Sequence, residues 1–280
     1  MIKKIMESTV TLSIPIIKHY EWFNDTGIEL ATTTGQAVKI IDFNYQEDNA
    51  ILDAWAKHFR NQYIQDEKID EACIPMGLSR SDYLKNIKFP NIERPGASVR
   101  AGDFSEILVA DYIQFILGYL VPRTRYDAKL NRNTSPNGVD VIGFRLMNEE
   151  ENRNDEMITF EVKASLSRKN VHTFQNAIDH SKKDFNTRTP EALNAMRQRL
   201  KERGDLIKVK LVERFQNKTD HPFKEITGAA LVCSTHCWED NLITSANSDH
   251  PNNNLFLIAI RGEQLMELTN KLYKLSHDSA

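Results

Sequence analysis

In the run Ile158-Thr-Phe-Glu-Val-Lys-Ala-Ser165 a glutamate and a lysine stand two residues apart among apolar and β-branched neighbours. Extended chains alternate their side chains, so Ile158, Phe160, Val162 and Ala164 share one face while Thr159, Glu161, Lys163 and Ser165 share the other. A carboxylate and an ammonium thus lie about 7 Å apart in Cα terms on one side of a strand. Burying such charges is costly unless they are paired or bind a metal. A strand with one wet face carrying a Glu–Lys couple is common, however, and E-x-K alone is a weak signal. Asp140 adds to it. It stands in Asn137-Gly-Val-Asp-Val-Ile-Gly-Phe144, where aspartate has poor strand propensity, and its ordinary role would be to accept hydrogen bonds from the turn at Asn137-Gly138. If the two runs are neighbouring strands, Asp140 and Glu161 present oxygens to one hard cation. Magnesium suits this, with manganese as its substitute, because it binds through one or two carboxylates and takes further oxygens from water and phosphate. Such a cation polarises a phosphodiester and acidifies a bound water, with Lys163 orienting that water or helping to deprotonate it.

Glu106 is a further candidate with two readings. Asp103 followed by Glu106 has the spacing of a capping box that merely starts a helix. Alternatively Glu106 leans over the sheet and completes the metal shell. Basic residues cluster at Arg123, Arg125, Lys129 and Arg132, before the Asp140 strand, and at Arg168, Lys169, Lys182, Lys183 and Arg188 after the Glu161 strand. The first group, with Arg168 and Lys169, is expected to track a nucleic-acid backbone, since arginine and lysine contacts to phosphate supply sequence-independent affinity. Arg197 to Arg203 is interleaved with glutamate and reads as a solvated helix face. His172 and Gln175, on the helix after Glu161, read as surface residues.

The elements that must position these groups follow from periodicity. Strands are predicted at 11–17 and 37–43, and a helix over 47–64 whose stripe of Ile51, Leu52, Trp55, Phe59 and Tyr63 is core. The segment Phe89-Pro-Asn-Ile-Glu-Arg-Pro-Gly96 interrupts both periodicities and marks a boundary between an N-terminal mixed α/β region, 1–95, and a catalytic region, 96–280. A strongly apolar helix starts at Gly102 and ends by Tyr119 or Leu120, before Pro122. Strands at 138–146 and 157–164 form a hairpin with a long polar loop. Helices follow over 171–185 and 190–203, the latter with Thr189 as N-cap, Pro190 in its first turn and Gly204 past its end. Buried strands at 229–233 and 255–260 and a helix over 263–275 close the chain. This order gives an α/β fold with a mixed central sheet flanked by helices.

The sequence of a helix with Glu106, a strand with G-V-D-V at Asp140 and a strand with E-V-K at Glu161 to Lys163 resembles the PD-(D/E)XK nuclease superfamily over about residues 100 to 185. More narrowly, GDFSEILVADY, NGVDVIGF and ITFEVKAS are similar to the HamA family, the nuclease components of the Hachiman anti-phage system. The resemblance implies a restriction-endonuclease-like core, a deoxyribonuclease activity, metal binding at Asp140 and Glu161, a catalytic Lys163, and Glu106 as the less uniform member. The proline that often precedes the first acidic residue is replaced by Val139. The resemblance also implies a helicase partner that restrains cutting until DNA is sensed; residues 1–95 are a candidate partner-binding region. The chain contains no G-x-x-x-x-G-K-[ST] loop, so a motor would be a separate polypeptide.

Composition narrows the alternatives. The net charge of −3 shows no global affinity for nucleic acid, but phosphate binding is a property of a patch rather than a sum. Cys73, Cys233 and Cys237 are too few for a disulfide framework. The cluster Cys233-Ser-Thr-His236-Cys237 offers three soft ligands where structural zinc needs four, and reads as a strand end. No signal peptide and no membrane span are expected, which places the protein in the cytoplasm. No G-x-S-x-G turn supports serine hydrolase chemistry. Two rival functions remain: a stand-alone restriction or repair endonuclease, and a nuclease-like scaffold that has lost its chemistry.

Overall fold

The computed structural model describes residues 17–148 and 150–280. The strand expected at 11–17 falls almost wholly outside them. In chain order the main elements are β1 (Phe23–Ala31), β2 (Ala37–Phe43), α1 (Asn49–Asn61), α2 (Gly96–Asp111), β3 (Val141–Arg145), β4 (Glu156–Ser165), α3 (Thr173–Lys183), α4 (Thr189–Glu202), α5 (Leu206–Arg214), β5 (Lys224–Ser234), β6 (Leu255–Gly262) and α6 (Leu265–Asp278). The strands form one mixed six-stranded sheet in the order β1-β2-β6-β5-β4-β3. The four inner strands run parallel, and β1 and β3 pair antiparallel at the two edges.

Strand alternation divides the core into two layers. Ile41 and Phe43 of β2, Ala230 and Val232 of β5, and Ile258 and Ile260 of β6 face α1, α2 and α6. Val38, Ile40, Ala229, Leu231, Leu257 and Ala259 face the other way, onto Phe174, Ala177 and Ile178 of α3. Beyond them α4 and α5 cover Ile142, Phe144 and Met157. Both faces are thus covered, as continuous apolar runs such as Ala229 to Cys233 require. The expected cut at residue 95 falls within this single body, because β1 and β2 belong to the same sheet and Trp55 and Phe59 to the same apolar core as Phe160 and Ile260.

Local chemistry sets the helix bounds. Asp48 caps α1, its Oδ1 accepting from the amides of Ala50 and Ile51 at 2.9 and 3.2 Å. Helix α2 begins at Gly96 rather than Gly102, so Asp103 is buried inside the helix and caps nothing; the capping-box reading of Asp103 and Glu106 is therefore replaced. Thr189 is likewise the first helical residue of α4 and not its cap. A π-helical turn, Asp184–Arg188, joins α3 to α4, and the Thr189 hydroxyl donates to the Asp184 carbonyl at 3.0 Å. Gly204, at φ +74°, ends α4 in the left-handed conformation expected of it. Among the described residues no helix is long and apolar enough to cross a membrane.

Candidate active site

The carboxyl end of β4, the first half of α2, the loop before β3 and the end of α3 enclose an open cleft of about 1420 Å³. Ligands of open α/β sheets sit characteristically at this end of the parallel strands. Val141 pairs with Phe160 across β3 and β4, so Asp140, one residue earlier, comes alongside Glu161. Glu106, Arg125, Asp140, Glu161, Lys163, Arg168, His180 and Arg188 all line the cleft.

Each carboxylate is held differently. Asp140 Oδ2 accepts from the Val162 amide at 2.9 Å and Oδ1 from Arg125 Nη2 at 2.5 Å. Glu106 Oε2 accepts from Arg125 Nε at 2.7 Å and from the Tyr126 hydroxyl at 2.5 Å. Glu161 Oε1 accepts from Lys163 Nζ at 2.5 Å and lies 3.2 Å from His180 Nδ1. Asp184, on the π turn, is a buried neighbour of Glu161; Arg188 donates to its Oδ1, while its Oδ2 has no hydrogen-bond partner among the described residues. Burial pushes Asp140 up to about 6 against the pull of Arg125, with the charge of Glu161 adding to the rise. Burial also pushes Glu161 up to about 7, opposed by Lys163 and assisted by Asp184. Glu106 and Asp184 are raised for the same first reason. Four buried carboxylates with too few cations between them resist ionisation.

The donor set fits a hard divalent cation. All its anionic groups are oxygen ligands, the kind magnesium and manganese take and zinc prefers less, and Asp184 Oδ2 is a buried oxygen without a hydrogen-bond partner among the described residues. Among the described residues no group of three or more His, Cys, Asp or Glu side chains forms a ready metal cluster. A cation that binds through two carboxylates, water and substrate needs none.

The basic residues separate sharply. Arg123, expected along a phosphate track, is instead half-buried and held by Asp111 at 2.8 Å and Gln114 at 2.9 Å. Lys129 is also withdrawn from solvent, its ammonium 2.6 Å from buried Asp103. Arg132 ties its guanidinium to the carbonyl of Lys85 at 2.7 Å. Arg125 is bound to the carboxylates inside the cleft, and Lys169 pairs with Glu239 on the surface. Of that expected set, Arg168 alone is exposed at the cleft wall without an ion pair among the described residues. Arg94 and Arg188 line the cleft as well; Arg94 is a residue that sequence reasoning missed. So are His180 and Asp184, which no strand alternation could have flagged because they sit on a helix and its π turn. His172 is exposed, and Gln175 is engaged with Asp179 and the backbone of Asn247. Cys233 and Cys237 are buried free thiols.

The sequence profile of the HamA family matches residues 18–275. No curated protein matches the chain.

Proposed function

The chain belongs to the HamA family, and on that premise we propose that it is the nuclease component of a Hachiman-type anti-phage system, a magnesium-dependent deoxyribonuclease of the PD-(D/E)XK kind. The observation that carries this reading is the convergence of Asp140, Glu161 and Lys163 on one cleft, next to Glu106. Asp140 and Glu161 would hold magnesium or manganese, with Glu106 at the same opening. When bound, the cation supplies charge to a scissile phosphate and lowers the pKa of a water. Lys163 places a compact positive charge beside that water and keeps Glu161 oriented through their hydrogen bond. Arg168, Arg188 and Arg94 offer the cleft wall to the phosphate backbone. We further infer a cytoplasmic protein whose cutting a separate helicase restrains until it engages DNA, a reading supported by the family membership.

The test is cleavage of plasmid and single-stranded DNA, with and without magnesium, by the chain alone and with a helicase encoded beside it. Glu161→Ala and Lys163→Ala should each lower cleavage by about 10²–10³ or more, the scale of removing a principal electrostatic group. Lys163→Arg should fail too, because a planar fork does not replace a point charge. Folded Glu161 and Lys163 variants that cut as well as the parent would hand the fold over to a scaffolding role.

A further inference from the structure

We propose that Arg125 is a positioning residue, an internal clamp that aims Asp140 and Glu106 at the cation, and that it does not touch substrate phosphate. The proposal rests on the metal-dependent reading above and extends it. A guanidinium carries five N–H groups in a fixed planar fork, and here all five have acceptors. Nε donates to Glu106 Oε2 at 2.7 Å. Nη1 donates to the carbonyls of Val139 and Gly138 at 2.8 and 3.4 Å. Nη2 donates to the carbonyl of Pro136 at 3.0 Å and to Asp140 Oδ1 at 2.5 Å. No donor is left for a phosphate oxygen, and withdrawing the group would take a donor from three carbonyls and from two carboxylates.

The acceptors show what the clamp does. Four of them lie between Pro136 and Asp140, so Arg125 shapes the turn that delivers Asp140 to the edge of β4. Asp140 is then fixed at both oxygens, by Arg125 on Oδ1 and by the Val162 amide on Oδ2. A carboxylate oxygen has two acceptor positions, and each oxygen of Asp140 keeps one for a cation. Glu106 is fixed on one side only: Oε2 takes both Arg125 and Tyr126, and Oε1 accepts no hydrogen bond among the described residues. One cation-like fork thus holds two anionic side chains apart in orientation, on two elements far apart in sequence, before any divalent ion arrives. Lysine would keep the charge but has neither the span nor the number of directed donors.

Removing an orienting partner of this kind lowers metal affinity by about 10–100-fold. The experiment titrates the full-length protein and its Arg125→Lys and Arg125→Gln variants with magnesium by calorimetry and with manganese by electron paramagnetic resonance, with folding checked by circular dichroism. Both variants should stay folded and bind either cation at least about tenfold more weakly. DNA binding in chelator should keep the parent's salt dependence in both variants, whereas Arg168→Ala should lower the slope by about one. Unchanged affinity for both cations, or a slope that falls in the Arg125 variants, would overturn the proposal. So would variants that are unfolded at every cation concentration, since Arg125 would then serve the fold alone. A parent that binds neither cation would remove the metal reading itself, and this proposal with it.

Discussion

Helix α2 carries three buried carboxylates, and two of them, Glu106 and Asp111, each meet an arginine of one short segment, Arg125 and Arg123. Burial opposes the charge of both, yet they end on opposite sides of the ordinary range. Asp111 has His19 Nε2 at 2.9 Å, His58 Nε2 at 3.0 Å, Arg123 Nη2 at 2.8 Å and Trp55 Nε1 at 3.4 Å. Against its burial, the charges of His58 and Arg123 and the hydrogen bonds from His19 and His58 hold it well below the usual carboxylate value. Glu106 shares its arginine with Asp140, feels the charge of that second carboxylate, and is raised. An arginine beside a buried acid is therefore no mark of a site. The mark is a surplus of acceptors over donors, which Asp111 lacks and the Glu106–Asp140–Glu161–Asp184 group has.

The largest consequence of that difference is in stability. Asp111→Asn should cost about 3–5 kcal/mol in denaturant unfolding, because it strands Arg123 and the histidines in the core. Glu106→Gln should cost far less without metal, since burial and the charge of Asp140 already oppose the ionised form there. Equal losses in the two variants would erase the distinction.

A smaller effect should appear with pH. Asp140 and Glu161 have folded-state values of about 6 and about 7, above the 3.8 and 4.5 of free groups. The folded chain without cation therefore binds more protons than the unfolded one between those limits, and this share of stability is present below about pH 4 and lost as pH rises through 6 to 7. Magnesium binds the ionised forms. Its effect on melting temperature should be near zero at about pH 5 and largest near pH 8, and a pH-independent effect would sink the assignment. Asp111 has the opposite sign: its contribution is present above its unfolded value and lost only as pH falls through its depressed folded one.

Smallest is the effect on DNA binding. Lys129→Met should leave the salt slope unchanged whatever it does to stability, because its ammonium is held by Asp103. A fall of about one, the loss of a single phosphate contact, would return Lys129 to the DNA path.

The contrast also explains what was legible in the sequence. Strand β2 has the bounds its sequence predicts, 37–43, because it is inner and apolar, whereas the polar edge strand β1 has no buried residue and shows no alternation. The start of α2 was hidden by Gly96 and Gly102, ordinarily breakers. Gly96 is needed there because a Cβ would fall 2.4 Å from the Asn91 carbonyl oxygen. Helix α5 has no clear periodicity in the sequence because Leu206 and Ile207 are exposed and blur its stripe. At the site, Asp140, Glu161 and Lys163 could be placed by alternation along strands. Arg125 could not, since a guanidinium reads the same in sequence whether it faces phosphate or carboxylate.

The strand order has a consequence for how the molecule is made. Strand β6 inserts between β2 and β5, so Val38 must find Leu257 across most of the chain. Such long-range parallel pairing is slow and leaves open edges while it waits. During translation β2 and β5 stay unpaired on those sides until β6 leaves the ribosome. Met266 and Asn270 of α6, which follow β6, form part of the cleft wall. The cleft is therefore completed only once β6 and α6 have emerged, and a nascent chain already carrying Asp140, Glu161 and Lys163 remains until then without the enclosure in which they would work.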